Sequence, residues 1–334
     1  MSVKVAINGY GRIGRALLRI LLQNPAYQGI ELVAINDLGD AATLAHLTRY
    51  DSTFGPLQGE LIEQQDHWQA GQHHIRLLAE KDPSRLPWQA LGVDLVLECS
   101  GKFKQRAQAA AHLNAGAKRV LVSHPMDDAD LTLVYGVNHQ QLTSAMQIVS
   151  NASCTTNCLA PIAQVLDQLC GIEQGLVTTI HAYTNDQNLL DKTHSDLYRA
   201  RAAALSMIPS KTGAAKAVGL VLPHLNGRLD GLAVRVPTPN VSLVDLVAQV
   251  RNPVDKSALE QAFRAASHSM PKGVLAVSDL PLVSIDYNGN PHSATLDAGQ
   301  TRVQGNLIKL MAWYDNEWGF AHRMLDVVQH WHQL

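Results

Sequence analysis

The chain has 334 residues, 46% hydrophobic and 17% charged, with 23 glycines, 14 prolines and four cysteines, a composition that suits a folded protein of about two domains at roughly 150 residues each. Its 27 lysines and arginines against 29 aspartates and glutamates give a formal charge of −2, which leaves no basic excess for a phosphate backbone and argues against nucleic acid as a partner. Four cysteines make no disulfide framework, the opening MSVKVAINGYGR has no secretory pattern, and no apolar run approaches the ~18 residues of a membrane span, so a reduced cytoplasm without a membrane partner is expected.

From residue 3, VKVAIN is a β-rich run that passes through GYGRIG into RALLRILLQN, whose leucines and isoleucine recur near helical spacing; this is strand, turn, helix. ELVAIN at 31–36 and a helical pattern through Ala41, Ala42, Leu44 and Leu47 extend the series to β-α-β-α. VDLVLEC at 93–99, a helix near 104–115 and KRVLVS at 118–123 repeat it, which predicts a parallel sheet covered by helices. Beyond about residue 150 the texture changes. TNCLAPIAQVLDQLCGI reads as a long helix, while LVTTIHAYT, LDGLAVRVP, VSLVDLVAQV and LIKLMAWYD read as strands with partial two-residue alternation. In LAVRV, Leu232, Val234 and Val236 share one face and Arg235 takes the other. The closing NEWGFAHRMLDVVQHWHQL predicts a helix with Phe320, Met324, Val327 and Val328 on one stripe. The expected class is α/β: an N-terminal Rossmann-type doubly wound domain, then an α+β domain with a mixed or antiparallel sheet, the break falling near 150 without an obvious linker.

Gly9, Gly11 and Gly14 form G-x-G-x-x-G directly after the first strand and at the mouth of a helix. In that context the first glycine permits a tight turn, the second lets the backbone approach a pyrophosphate, and the third lets helix and strand pack closely. A phosphate would sit over the helix N-terminus. Asp37 ends the second strand 23 residues after Gly14, close to the ~20 expected for a carboxylate that accepts from ribose hydroxyls. Its charge repels a 2′-phosphate and so favours NAD over NADP. The alternative is a purely structural turn followed by a solvated capping aspartate.

SNASCTTNC places Cys154 and Cys158 four apart at the start of a predicted helix. A thiol at a helix N-terminus feels the positive end of the dipole, which lowers its pKa below the ~8.5 of a free thiol and suits a nucleophile. The C-x3-C spacing lacks the C-x2-C knuckle of zinc sites and no second pair exists, so no metal is expected. Cys99, Cys158 and Cys170 have apolar flanks and read as inert core thiols. His181, in TTIHAYTND, interrupts a strand with a polar cluster and is the candidate base for the thiol; a separation of 27 residues does not by itself bring the two together. His73, His74, His330 and His332 lie in polar surroundings and are expected at the surface.

The blocks INGYGRIGR, AIND, SNASCTTNCLAP, TIHAYTNDQ, IPSKTGAAKAVGLVLP, LAVRVPTPNVS and WYDNEWGF resemble the phosphorylating glyceraldehyde-3-phosphate dehydrogenase family, from residue 3 to about 330. The resemblance implies an NAD-binding Rossmann domain at 1–152, a catalytic domain at 153–316 and a C-terminal helix, 317–334, that returns to the first domain. It also implies a homotetramer, with residues 184–205 as an interface loop. Carried over by position, Cys154 would add to the aldehyde, and His181 with the Cys154 amide would hold the resulting oxygen. Hydride would leave to NAD, and inorganic phosphate would cleave the thioester. Thr184 and Arg235 would hold the substrate's phosphate; Ser153, Thr155, Thr212 and Gly213 would hold the attacking one. Asn316 would bond the nicotinamide amide, Arg12 and Ile13 would lend backbone contacts to the pyrophosphate, and Ser123 would join the cofactor contacts.

Three departures stand out. Lys192-Thr193 precedes His194 where Leu-Pro or Ala-Pro is common, near the adenosine end of the cofactor. Lys211 adds a cation beside Thr212, and Tyr198 replaces an arginine before Arg199, removing one phosphate contact. The sister enzyme erythrose-4-phosphate dehydrogenase shares the cysteine and histidine, and VSHP, VYGVN, QTRVQGNLIK and FAHRMLD look more like it. HAYTND and TGAAKA favour glyceraldehyde 3-phosphate. An idle NAD-binding regulator is disfavoured by intact catalytic positions, and a non-phosphorylating dehydrogenase by the Thr212-Gly213 turn.

Overall fold

In the computed structural model, which describes residues 2–334, the β-rich runs of the first half become short parallel strands, almost wholly buried except in the outermost of them. They are β1 (Val3–Asn8), β2 (Ile30–Asn36), β3 (His73–Leu78), β4 (Leu95–Glu98), β5 (Arg119–Val122) and β6 (Ile148–Ser150), in the spatial order β6-β5-β4-β1-β2-β3. A two-residue strand, 131–132, pairs in parallel beside β6, and an antiparallel ribbon of 67–70 and 61–63 extends the sheet beyond β3. The chain order reverses between β1 and β4. At such a switch point the crossovers leave on opposite faces and open a crevice at the strands' carboxyl ends.

Helix α1 (Arg12–Gln23) buries Leu17, Leu18 and Ile20; α2 (Ala41–Arg49) is capped by Asp40, whose carboxylate accepts from Thr43 N. One apolar cluster gathers Ala6, Val33, Trp88 and Val96, and a second gathers Val120, Val122 and Ile148 with Ala109 of α3 (Arg106–Asn114). This unit comprises the chain up to Leu133, His139–Ala152 and Ala321–Leu334. It therefore includes most of the closing helix, Trp318–His332, whose Met324, Val327 and Val328 are fully buried.

The expectation of surface histidines fails at His73. It starts β3, is only 1% exposed, and its Nδ1 accepts from Leu32 N at 3.3 Å; burial lowers its pKa and keeps the ring neutral. His330 is half-buried, with Nε2 3.2 Å from His139 O, whereas His74 and His332 are exposed.

The second unit holds 134–138 and 153–320. It contains α4 (Cys154–Cys170), β7 (Ile172–Ala182), β8 (Ile208–Lys211), α5 (Ala214–Val221), β9 (Leu229–Val236), β10 (Ser242–Val250), α6 (Lys256–Ser269), β11 (Leu275–Ser278), β12 (Ala294–Asp297) and β13 (Leu307–Tyr314). The sheet runs β8-β9-β7-β10-β13-β12-β11, with β7/β9 and β11/β12 parallel and the other pairs antiparallel. The mixed sheet explains the partial alternation in the sequence. In β9, Arg235 does oppose Leu232, yet the covered face is the one with the arginine: Ala233 is 2% exposed and Leu232 45%.

Candidate active site

The crevice at the carboxyl ends of β1 and β4 is a cavity of about 260 Å³ whose lining includes Gly9, Gly11, Asp37, Lys81, Cys99 and Ser100. Gly9 has φ +90°, and a Cβ there would sit 2.5 Å from the Ser100 backbone, so no side chain fits. A Cβ at Gly14 would lie 2.6 Å from Gly9 O, whereas one at Gly11 would meet nothing within 4 Å, which leaves that side of the turn open to a ligand. Among the described residues no side chain caps α1, and an uncapped helix start of this kind attracts anions through its first-turn amides. Asp37 is held in the crevice by two amides: Oδ2 accepts from Tyr10 N at 2.7 Å and Oδ1 from Gly39 N at 2.9 Å. Each oxygen keeps a lone pair for a further donor. Arg12 turns its guanidinium to Asp51 and over the Phe54 ring. Ser123 follows β5, half-buried, with its N–H on Glu98 O at 3.0 Å.

Below this crevice lies a polar network the sequence reading did not assign. Glu98 and His112 are both 0% exposed. The Glu98 carboxylate accepts from Ser100 N (2.8 Å), Ser100 Oγ (2.5 Å) and Asn8 Nδ2 (2.5 Å). His112 Nδ1 accepts from the Trp88 indole at 3.0 Å, so its proton is on Nε2 and is donated to Glu98 Oε2, also at 3.0 Å. The network pins Ser100 and hence the wall that excludes a side chain at Gly9. Its only signal in the sequence is a glutamate within the apolar run VDLVLEC. Cys99 corrects another expectation, because it lines the crevice half-exposed instead of lying in the core; burial of its sulfur nonetheless pushes the thiol far up. Cys158 and Cys170 are buried as expected.

In the second unit, Cys154 is the first residue of α4. Ser153 caps the helix, its Oγ accepting from Thr156 N at 3.0 Å, and Ala152 just before it has φ 56°, a conformation rare outside glycine. Cys154 Sγ is 3.5 Å from His181 Nε2. His181, 4% exposed on β7, is paired across the parallel ladder with Arg235 of β9. Its Nδ1 lies 2.6 Å from Ala182 O and 2.8 Å from Arg235 Nη1; the carbonyl can only accept and makes the shorter contact, while the guanidinium donates to that same carbonyl, which assigns the proton to Nδ1. The Nε2 lone pair therefore faces the thiol.

Burial, reinforced by the Arg235 cation, pulls His181 down to about 3, so the ring is neutral at ordinary pH. The expected lowering of the Cys154 pKa by the helix end is not found. Burial is the largest influence and raises the thiol, against the opposing pull of Arg235 and of the first-turn amides. The resting pair is thus thiol and neutral imidazole.

Arg235 donates from Nη1 to Ala182 O at 3.0 Å, and its buried Nε has no partner among the described residues. A desolvated guanidinium with an unspent donor fits an anionic ligand. Thr212 and Gly213 precede α5, whose N-cap Gly213 has no side chain to offer, and Thr212 Oγ1 accepts from Ala214 N at 3.2 Å. Arg199 stands against this loop, donating from Nε to Ser210 Oγ at 2.7 Å and from Nη2 to Lys211 O at 3.2 Å, and its charge contributes to lowering both His181 and Arg235. It was not singled out from the sequence, although its neighbour Tyr198 was. Thr184 is half-buried, its N–H on Gln187 Oε1 at 3.3 Å. Thr155 turns its hydroxyl inward to Tyr314 at 2.9 Å, and Lys211, Lys192 and Tyr198 are exposed. Asn316, 6% exposed, sits on a turn pinned by Asp315, whose carboxylate accepts from Gly289 N, Glu317 N, Trp318 N and Asn240 Nδ2 at 2.8–2.9 Å.

Residues 3–106 match the family model for the glyceraldehyde 3-phosphate dehydrogenase NAD binding domain, and residues 153–316 match that for its C-terminal domain. Proteins named glyceraldehyde-3-phosphate dehydrogenase are similar over nearly the whole chain. The one from Xanthobacter flavus is 57% identical over 327 residues, that from Pseudomonas aeruginosa 56% over 326, and that from Geobacillus stearothermophilus 52% over 329, each covering 98% of this chain and 97% of the relative. The chain belongs to the glyceraldehyde-3-phosphate dehydrogenase family.

The family resemblance drawn from the sequence blocks is thereby borne out, as is the α/β class with its doubly wound and mixed-sheet halves. NAD is the cofactor of this glyceraldehyde-3-phosphate dehydrogenase family member. The crevice fits it: room for a pyrophosphate at Gly11, an uncapped helix start, and a carboxylate with spare lone pairs at Asp37.

Proposed function

We propose that the chain oxidises glyceraldehyde 3-phosphate with NAD and inorganic phosphate to the acyl phosphate, 1,3-bisphosphoglycerate, through a thioester on Cys154. The observation that carries this is the 3.5 Å contact of Cys154 Sγ with the lone-pair side of neutral His181, beside the half-satisfied Arg235. His181 Nε2 takes the thiol proton as sulfur attacks the aldehyde carbon. The oxygen that develops on that carbon is held by the Cys154 amide and by His181 Nε2, now a donor. Bound NAD supplies the acceptor for the hydride that leaves this carbon. His181 Nε2 hands its proton to that oxygen, giving the thiohemiacetal hydroxyl, and takes it back as the hydride departs and the carbonyl reforms, leaving the thioester. Phosphate held by Thr212, Gly213, Arg199 and Ser153 then attacks the thioester carbon, and Cys154 departs as thiolate. Arg235 and Thr184 grip the phosphate already on the substrate.

In this assignment residues 1–152 with 317–334 serve the cofactor and 153–316 the chemistry, with Gly9, Gly11, Arg12, Ile13, Gly14, Asp37, Ser123 and Asn316 as cofactor contacts. The protein is a cytoplasmic homotetramer, where a reduced compartment keeps Cys154 a thiol. Support for assembly comes from Leu189, Leu190, Leu197, Leu205 and Met207, each 70–82% exposed in or beside the 184–205 loop, more apolar surface than a monomer usually leaves open. The test is nicotinamide absorbance with NAD, phosphate and glyceraldehyde 3-phosphate, alongside erythrose 4-phosphate at matched concentration. Turnover is expected to favour the triose, to require phosphate and to vanish in Cys154→Ser.

A further inference from the structure

Asn316 and the backbone that orients His181 are joined by one hydroxyl. Ser242, the first residue of β10, is 1% exposed. Its Oγ accepts the Ala182 N–H at 3.1 Å and lies 2.9 Å from Asn316 Oδ1. A serine hydroxyl has one proton to give, and Asn316 Oδ1 is the acceptor within reach of it among the described residues, so the proton goes there. The atom of Asn316 that faces Ser242 is therefore its carbonyl oxygen, and the NH₂ group faces the other way. The carbonyl of the same Ala182 receives the His181 Nδ1 proton.

The local backbone is built around this position. Val241, immediately before Ser242, has φ 68°, a strained conformation for a β-branched residue of the kind found near functional sites. Asn240 donates to Asp315 and to Asn288, both at 2.8 Å. Residues 240–242 thus hold the 315–316 turn at two points: Asn240 grips its backbone anchor, and Ser242 orients its side chain.

We propose that Ser242 is a positioning residue that fixes the hydrogen-bond polarity of Asn316, so that Asn316 presents an N–H donor to the carbonyl oxygen of the cofactor's nicotinamide carboxamide. This rests on the assignment of Asn316 to that carboxamide. The donor polarity predicts discrimination. An analogue that keeps the carbonyl and loses the amide nitrogen satisfies Asn316 as well as NAD does.

The experiment is direct binding to the purified, cofactor-stripped protein, by calorimetry or fluorescence quenching, of NAD and of its 3-acetylpyridine analogue. The proteins compared are wild type, Ser242→Ala, Ser242→Thr, Asn316→Ala and the Ser242→Ala/Asn316→Ala double variant. Wild type is expected to bind the two nucleotides within about threefold of each other. Ser242→Ala should weaken both by about 3- to 10-fold, the range of one neutral hydrogen bond. The threonine, which keeps the hydroxyl, should restore most of the loss, and the alanine at 242 should add nothing once Asn316 is gone. A tenfold or greater preference of wild type for NAD over the analogue, unchanged affinity in Ser242→Ala, or additive losses in the double variant would each overturn the role of Ser242. Unchanged affinity in Asn316→Ala would instead overturn the underlying assignment of Asn316.

Discussion

Replacing His181 by asparagine tests the centre of the mechanism. Asparagine keeps a polar side chain near Sγ but cannot take a proton. When Nε2 receives the thiol proton, unit charges form 3.5 Å apart; at an effective dielectric of about 20 their attraction is about 5 kcal/mol, equivalent to about 3.5 pH units. This is a ceiling, because the Arg235 guanidinium lies 2.8 Å from Nδ1 and disfavours the imidazolium. The expected result is loss of the pH-independent alkylation of Cys154 that the ion pair supports below the thiol's own midpoint, and a loss of about 10²- to 10⁴-fold in kcat/KM, the usual worth of a placed acid–base group.

Alkylation by iodoacetamide over a range of pH, with the modified cysteine located by mass spectrometry, measures that low-pH rate, and a melting curve verifies that the variant folds. Cys154 should label ahead of Cys158 and Cys170, which are buried with raised thiols. An unchanged low-pH alkylation rate in a folded variant would show that His181 is not the acceptor of the thiol proton.

Gly9→Ala should abolish measurable NAD binding and lower stability by about 1–3 kcal/mol, since the added methyl meets the Ser100 backbone at 2.5 Å in a positive-φ position; calorimetric titration and urea unfolding report the two effects separately. Arg199→Ala should raise the KM for inorganic phosphate by about tenfold or more, the worth of a charge-assisted hydrogen bond, while NAD affinity measured by fluorescence stays near wild type. Acid should destabilise the protein partly through His181: its folded pKa of about 3 is below the ordinary 6.5, so the unfolded chain binds the proton first. Stability from this group is present above pH 6.5 and falls as pH drops towards 3, by about 2–3 kcal/mol at pH 4.5. Urea midpoints of wild type and His181→Asn compared at pH 7 and 4.5 should converge on acidification; parallel curves would contradict the burial argument.

Much of the fold was legible because its elements are announced locally. A β-rich run, a glycine turn and an amphipathic helix follow one another with little between them, and the reversal of strand order at β1 and β4 follows from the repeated β-α unit. What spacing could not give was register. His181 and Arg235 are 54 residues apart, and only the parallel pairing of β7 with β9 sets them side by side. Glu98 and His112 escaped notice for a related reason. A lone acid in a strand and a lone histidine in a helix carry no pattern until a Trp88 indole and the Asn8 amide close the network around them. His73 misled in the opposite direction, because polar neighbours in the sequence say little about a residue at which the His67–Ala70 ribbon meets β3.

The thiol centre shows why a helix dipole alone is a poor guide to nucleophile activation. The first-turn amides of α4 and the Arg235 cation both favour thiolate, yet desolvation outweighs them and keeps Cys154 protonated at rest. The same desolvation holds His181 neutral and its Nε2 lone pair open. Burial therefore disfavours either charge by itself and leaves proton transfer between the two as the route to both together. Arg235 sits at the point where the terms balance: it stabilises thiolate, opposes imidazolium, and has a buried Nε–H still to give. An anion that engages that donor offsets the guanidinium's repulsion of the imidazolium. The same anion withdraws the guanidinium's support of the thiolate, but the guanidinium lies 2.8 Å from the imidazole, so relief of that closer repulsion is the larger effect and the ion pair is favoured when a negatively charged substrate group reaches Arg235.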